Sequence, residues 1–200
     1  MSLPNIALDH TEKLIERAKL GDKKSFNEVV GLWYKKIYNF CYKYCHDHDQ
    51  ASEAAQRTFI KVYDHLLKLE DIGKFKSWLY IIALNVCREE SRRMTRVAKM
   101  FVSDGDDSKH VEVDGGETFA QVYDRSELSS IVIASLNQLG EEQKEVILMK
   151  EYEGLKFREI AEVLNISENT VKSRLYYGLS NLKKILVKNR AFKESYDYGK

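Results

Sequence analysis

From Asn169 to Lys193 the sequence carries seven lysines and arginines and not one aspartate or glutamate, in a chain whose formal charge is only +1. Cations segregated in this way form a local patch that attracts phosphate, not a generally basic surface. Interleaved with Lys172 and Arg174 stand Asn169, Thr170, Ser173, Tyr176 and Tyr177. Hydrogen-bonding tips beside cations suit the base edges and phosphates of a DNA major groove. Nothing comparable points to catalysis. No Gly-rich phosphate loop is present, and no triad-like set surrounds the cluster Cys41, Cys45, His46 and His48. That cluster could be drawn as a zinc site. Cys41 belongs to an apolar face, however, and no second ligand pair follows at a finger-like spacing. No metal, no cofactor and no enzymatic activity are expected.

The cationic run needs elements that present it. Ile160, Ala161 and Leu164 fit one face of a short helix, which Asn165-Ile166-Ser167 interrupts. Ser167 suits the N-cap of a second helix, because its hydroxyl can accept from an orphan amide of the next turn. A seam then runs through Val171, Leu175, Leu179, Leu182 and Leu186 at three- and four-residue steps. Two short helices, a tight turn and one apolar seam describe a helix-turn-helix. A plain helical hairpin with a solvated cationic face is the simpler alternative. The coincidence of cap, turn, seam and unmixed charge favours DNA binding.

Length and composition bound the rest. Two hundred residues allow one large domain or two small ones, and 44% apolar residues suffice for buried cores. Met1 to Lys13 shows no apolar signal core, and the longest apolar run, Trp78 to Leu84, is too short for a bilayer, so no membrane insertion is expected. Three cysteines without an export signal suggest reduced thiols in a cytoplasm. Proline occurs once, at Pro4, and every strong periodicity is near 3.6. The fold class is all-α.

Asp9-His-Thr-Glu12 is expected to start a first helix as a capping box, with Leu14, Ile15 and Ala18 inward and Gly21 as its stop. The next helix keeps Phe26, Val29, Val30, Trp33, Ile37, Phe40, Cys41 and Tyr44 on one face. A third, from about Asp49 to Leu67, buries Ala55, Phe59, Val62 and Leu66 and shows Glu53, Gln56, Arg57, Ile60 and Asp64 outward. After Gly73 a fourth helix reaches about Ala98, with Leu79, Ile82 and Val86 inward. Asn85, Arg88, Arg92, Arg96 and Lys99 line up along it as one polar stripe, with Trp78 two turns before Asn85. An aromatic, an amide and guanidinium groups on one ridge can hold unpaired bases by stacking and phosphate charge.

Ser103 to Glu117 holds six acids, one lysine and three glycines, with almost nothing to bury. Such a stretch reads as a flexible, self-repelling linker. The expected organisation is a first domain over 1–99, a linker over 100–124 centred on Met100 to Thr118, a second domain over 125–190 and a tail over 191–200. In the second domain Leu128, Ile131, Val132 and Leu136 give one helix, and Val146, Ile147 and Met149 another.

Four separated blocks now stand in order: Gly21-Asp22 with Phe26; Asp49 to Tyr63; Phe75 to Asn85; and Glu159-Ile-Ala with Thr170-Val-Lys-Ser-Arg174-Leu. Together they resemble the bacterial extracytoplasmic-function sigma factors, the group IV sigma subunits that keep only the second and fourth conserved regions. The resemblance covers nearly the whole chain apart from both ends and the linker. It implies two helical domains and a subunit that binds core RNA polymerase, directs it to promoter DNA and assists melting. Glu53, Gln56, Arg57, Ile60 and Asp64 would then meet the clamp helices of the largest polymerase subunit. Trp78, Asn85, Arg88, Arg92, Arg93 and the loop Asp71 to Lys74 would melt and read the minus-ten element. Arg158, Asn169, Thr170, Lys172, Ser173, Arg174, Tyr176 and Tyr177 would read the minus-thirty-five element, with the same domain touching the polymerase flap. An anti-sigma factor is a further implied partner. Departures from the pattern are Arg57 for a usual acid, Gly140 for a frequent proline, Arg158 for glutamate, Tyr177 for arginine and Gly178 for alanine. The competing reading is a conventional helix-turn-helix regulator of duplex DNA. Such a regulator has no use for the Trp78 to Arg93 block.

Overall fold

The computed structural model describes residues 6–102, 120–189 and 192. Among them every regular element is helical: α1 (Ile6–Lys19), α2 (Lys23–Cys45), α3 (His48–His65), α4 (Phe75–Val102), α5 (Ala120–Leu136), α6 (Glu141–Ile147), α7 (Phe157–Leu164) and α8 (Glu168–Lys188). Short 3-10 turns at Leu66–Lys68 and Ile72–Lys74 join α3 to α4, and a π-helical turn, Leu148–Tyr152, continues α6. Most of the expected linker and tail lies outside the described residues. The flanking helices reach further than expected, α4 to Val102 and α5 from Ala120. None of these helices is long and apolar enough to cross a membrane.

Local chemistry sets the boundaries. Asp22 caps α2 by accepting from the Lys24 amide at 3.0 Å and the Ser25 hydroxyl at 2.7 Å. His46, in the left-handed region at φ 56°, ends that helix, and Asp47 caps α3 by accepting from the Gln50 amide at 2.7 Å. The helix start expected at Asp9 is corrected. Helix α1 is already under way at Ile6, and the Thr11 hydroxyl instead accepts a 3.4 Å hydrogen bond from the Trp33 indole. A polar run of four residues thus resembled a helix start when one of its members was serving a tertiary contact.

The first domain packs α1 to α4 around Ile15, Val29, Ile37, Phe40, Val62, Leu79, Ala83 and Val86, all nearly or fully buried. The expected inward faces of α2 and α3 are the observed ones. Each of these side chains larger than alanine contributes about 1.5–3 kcal/mol when withdrawn from water, and Trp33 against Phe75 and Phe40 against Tyr80 add edge-to-face contacts at 5.8 and 5.4 Å. Cys41 and Cys87 lie in this core as free thiols, with Cys45 at its margin. His48, the other end of the apparent zinc cluster, stacks on Tyr42 at 4.3 Å.

In the second domain Ile133, Leu136, Val146 to Met149, Leu155, Ile160, Val163, Val171 and Leu182 are buried. The helix-turn-helix is present. Asn165 turns left-handed at φ 53°, and the Ser167 hydroxyl accepts from the Thr170 amide at 3.0 Å. One expectation about the seam is corrected. Leu179 is 40% exposed, whereas Gly178 is buried. Positions 171, 175, 178 and 182 stay on one stripe at 100° per residue, and 179 drifts off it. Gly178 allows a close approach: a Cβ there would stand 3.0 Å from Ile147 Cδ1 and 3.1 Å from Gln143 Cβ. Replacing it by leucine forces α6 away from α8, so Gly178→Leu is expected to destabilise the protein by about 1–3 kcal/mol in urea unfolding. Leu179→Ala, on the exposed side, is expected to shift the same curve by less than about 0.5 kcal/mol.

Candidate nucleic-acid interface

Helix α4 keeps Leu79, Ala83, Val86 and Cys87 inward, which turns Asn85, Arg88 and Arg92 toward the surface on the opposite stripe. Asn85, Arg88 and Arg92 border one open cavity of about 340 Å³, together with Lys61 and His65 of α3, Ile82 as an apolar wall and the Glu89 carboxylate that pairs with Lys61. An amide, an imidazole and three cationic groups around an apolar wall can hold a base edge and its phosphate. Lys61 and His65 were not singled out in the sequence. They sit on α3 four residues apart, and only packing brings them to the α4 ridge.

Trp78 lies elsewhere. It borders a second cavity of about 370 Å³ with Lys68, Leu69, Asp71, Lys74 and Ile81. The ring is half-buried and tilted against Phe75 at 6.2 Å, so it is both a packing element and a cavity wall. The loop Asp71 to Lys74 and Trp78 therefore share one site, while Asn85, Arg88 and Arg92 share another. Arg96 is exposed, and Lys99 falls where side chains are outside the described set.

Arg93 departs from the ridge. Its Nε meets Glu90 at 2.9 Å and its Nη2 meets Glu53 at 3.3 Å. Glu90 is only 1% exposed and is met from the other side by Arg57, which also bonds Glu89 at 3.0 Å. Lys61 joins the same Glu89 at 3.0 Å. Arg57 and Arg93 thus neutralise a carboxylate buried between α3 and α4. Around them Glu53, Gln56, Ile60 and Asp64 stay exposed, and Ile60 at 60% exposure is an apolar group with nothing covering it.

On α8, Asn169, Lys172, Ser173, Tyr176 and Tyr177 face outward, the two rings edge-to-face at 5.5 Å. Two members of the expected set are engaged within the domain. Thr170 shares a 2.8 Å hydroxyl contact with the cap Ser167, and Arg174 is half-buried with its Nη2 2.7 Å from Glu142 of α6. Arg158 on α7 is exposed, with Glu162 at 3.6 Å.

The apolar cluster runs on from the first domain into the second, and polar pairs that residue spacing does not reveal border it. Arg88 donates from Nε and Nη2 to the two oxygens of Glu145, each at 2.7 Å. The Tyr44 hydroxyl donates to Glu141 and the Tyr80 hydroxyl to Glu153, the latter at 2.6 Å. Lys144 donates to the Tyr44 carbonyl at 3.1 Å and lies over the Tyr44 ring at 4.1 Å. Burial, and then the hydrogen bond to Glu141, raise the Tyr44 phenol well above the ordinary tyrosine range. Burial and the nearby charge of Glu153 do the same for Tyr80. Tyr44 and Tyr80 occupy inward positions of otherwise apolar faces, and a phenol there needs a partner. That was the only available sign.

Arg57→Glu would set a second carboxylate against the buried Glu90. It is expected to lower stability by about 1–3 kcal/mol in urea unfolding. Asp64→Asn, on the open part of the same face, is expected to change it by less than about 0.5 kcal/mol.

The geometry matches known proteins. The family described as Sigma-70 region 2 matches residues 29–97, and that described as Sigma-70, region 4 matches residues 129–182. The RNA polymerase sigma-H factor of Pseudomonas aeruginosa is 28% identical over 182 residues, covering 89% of this chain and 94% of its own. The ECF RNA polymerase sigma factor SigW of Bacillus subtilis is 29% identical over 185 residues, covering 88% and 96%. The fold is similar to that of CnrH, solved in complex with the cytosolic domain of CnrY, with a TM-score of 0.68 and 19% identity over 90% of this chain and 99% of that one. It is also similar to that of the sigma factor RpoE from Bartonella quintana, solved with the anti-sigma factor NepR, with a TM-score of 0.64 and 22% identity over 84% and 99%.

Proposed function

The chain belongs to the extracytoplasmic-function sigma factors, and from that premise we propose how its residues divide the work of a subunit that binds core RNA polymerase and directs it to promoters. It acts by binding and carries no catalytic group. The first domain, 1–99, docks on the clamp helices of the polymerase through Glu53, Gln56, Ile60 and Asp64. Ile60 is the apolar anchor, and Arg57 holds the face against α4. Asn85, Arg88 and Arg92 take one part of the unpaired minus-ten strand, with Lys61 and His65 beside them. Trp78 and the loop Asp71 to Lys74 take another. In the second domain, 125–190, the outward set Asn169, Lys172, Ser173, Tyr176 and Tyr177 reads the minus-thirty-five duplex, with Arg158 at its border and the flap as the polymerase contact. Arg174 and Thr170 hold α8 in position more than they read bases. Work in the cytoplasm, where polymerase acts, and control by an anti-sigma factor follow from the same reading.

The observation that carries it is the separation of roles on α4: one stripe builds the core, and the outer side borders two cavities, one with Asn85, Arg88 and Arg92 and one with Trp78, Lys68 and Lys74. A helix-turn-helix regulator, with 1–99 as its sensing or dimerising domain, would need no base-capturing ridge there. Adding the chain to core polymerase should therefore yield promoter-specific transcripts from genomic fragments, and their absence would refute the reading.

Two measurements test the division. Ile60→Ala with Gln56→Ala is expected to weaken core binding roughly tenfold with unchanged helix content, since truncating a central anchor costs more than about 1 kcal/mol. Asn85→Ala is expected to leave core binding and closed-complex footprints intact but to depress strand opening, read as permanganate reactivity of unpaired thymines. A base outside the stack must recover a few kcal/mol through contacts made only when unpaired. A template mismatched across the minus-ten element should restore much of the loss; without that rescue, melting belongs to other residues.

A further inference from the structure

Helix α6 carries three glutamates, and each engages a different element. Glu141 accepts from Tyr44 of α2, Glu142 pairs with Arg174 of α8, and Glu145 pairs with Arg88 of α4. One acidic turn thus occupies an arginine from each of the two nucleic-acid sets. The contact to Arg88 is the more telling, because it crosses between domains. Glu145 is 1% exposed, and both its oxygens accept from the guanidinium at 2.7 Å. A carboxylate in this bidentate geometry occupies the same two N–H groups that a phosphate would. Tyr80 to Glu153 and Lys144 to the Tyr44 carbonyl fasten the same seam. Glu162 of α7 stands at the lining of the Trp78 cavity, so the second domain also borders that site.

We propose that α6 is an internal competitor for DNA: Glu145 takes the place of a phosphate on Arg88, and the free chain stays in a closed form that excludes single-stranded DNA from the α4 ridge until this pair opens. The proposal rests on Arg88 being a nucleic-acid group, as argued above. Arg88 keeps 33% of its side chain exposed. Water can reach the pair from that side, which makes the latch releasable and not part of the fixed core. The seam also carries Tyr44, Tyr80, Lys144, Glu141 and Glu153, groups that water can take over when the domains part, beside an apolar cluster that runs on from one domain into the other and favours the closed form. Core polymerase would favour the open form by holding the two domains apart, and DNA would then meet an unoccupied guanidinium. The linkage is reciprocal: whatever opens the seam raises affinity for the strand by the factor with which the strand favours opening.

The test uses the full chain as parent, Glu145→Gln, and Glu151→Gln as a control with the same charge change at an exposed glutamate of the same domain. Small-angle scattering reads the radius of gyration. Fluorescence anisotropy with a labelled 20-nucleotide oligothymidylate reads strand binding. Glu145→Gln is expected to expand the protein and to bind the oligonucleotide roughly fivefold or more tightly than Glu151→Gln does. Glu145→Ala should agree, and circular dichroism should show unchanged helix content in both. Arg88→Gln should expand the chain without gaining affinity. Unchanged dimensions in Glu145→Gln, or binding equal to that of Glu151→Gln, would overturn the latch. So would an Arg88→Gln chain that gains affinity as Glu145→Gln does, since Arg88 would then add nothing to DNA. Promoter-specific transcription by the parent is scored separately, so loss of the latch leaves the sigma assignment standing.

Discussion

Helix α4 must serve three surfaces at once, and the other helices are arranged to permit it. Its inward stripe, Leu79, Ala83, Val86 and Cys87, completes the core built by α1 to α3. Its flank carries Glu89 and Glu90, which hold Arg57 and Lys61 of α3, and Arg93, which reaches Glu53 of α3. Its outer stripe carries Asn85, Arg88 and Arg92. A helix has only 3.6 residues per turn, so these surfaces are neighbours and share residues. The binding ridge is rigid because the same turns are anchored by apolar packing on one side and by a buried carboxylate on the other. Side chains held in this way lose little freedom when a ligand arrives, which favours binding.

Periodicity made the architecture legible. The faces of α2 and α3 and the cap at Ser167 follow from side-chain spacing alone, because burial of one stripe is a local property of a helix. Three things did not follow. The α8 seam passes through Gly178 and not Leu179, since a residue without a side chain gives no hydrophobic signal although its smallness is what the contact needs. The run Asp9 to Glu12 looked like a cap because hydrogen-bonding residues do not announce whether their partner is the backbone or a distant indole. Arg57 read as a surface group, yet its partners are thirty-two and thirty-three residues away on α4, beyond any local pattern.

For the candidate site, residue types were legible and engagement was not. Asn85, Arg88, Arg92 and Trp78 were found by chemistry and spacing. That Trp78 and Asn85 open onto different cavities is set by how α3 and the Asp71 to Lys74 loop pack. Lys61 and His65 enter only through that packing. The near-zero net charge has the same explanation. Cations that a nucleic acid would use are largely matched within the chain, Arg88 by Glu145, Arg174 by Glu142 and Lys61 by Glu89. A cation held by a nearby acid is soluble and selective, and gives up its partner only to a stronger anion field.

The composition of the seam between the domains completes this logic. Obligate interfaces resemble a domain core cut in half, whereas separable ones are polar and leave groups that water can satisfy. Here an apolar cluster runs on from one domain into the other, and it is bordered by polar pairs, Arg88 with Glu145, Tyr44 with Glu141, Tyr80 with Glu153 and Lys144 with a carbonyl. Replacing these pairs by leucines would hold the domains together more firmly, but the exposed apolar surface would then aggregate once they separated. A chain that must present its two halves to DNA sites some distance apart has to tolerate both states. Buried charge pairs with one solvent-accessible partner meet that requirement: they define a single closed geometry, and on opening they leave a charged ridge already shaped for phosphate.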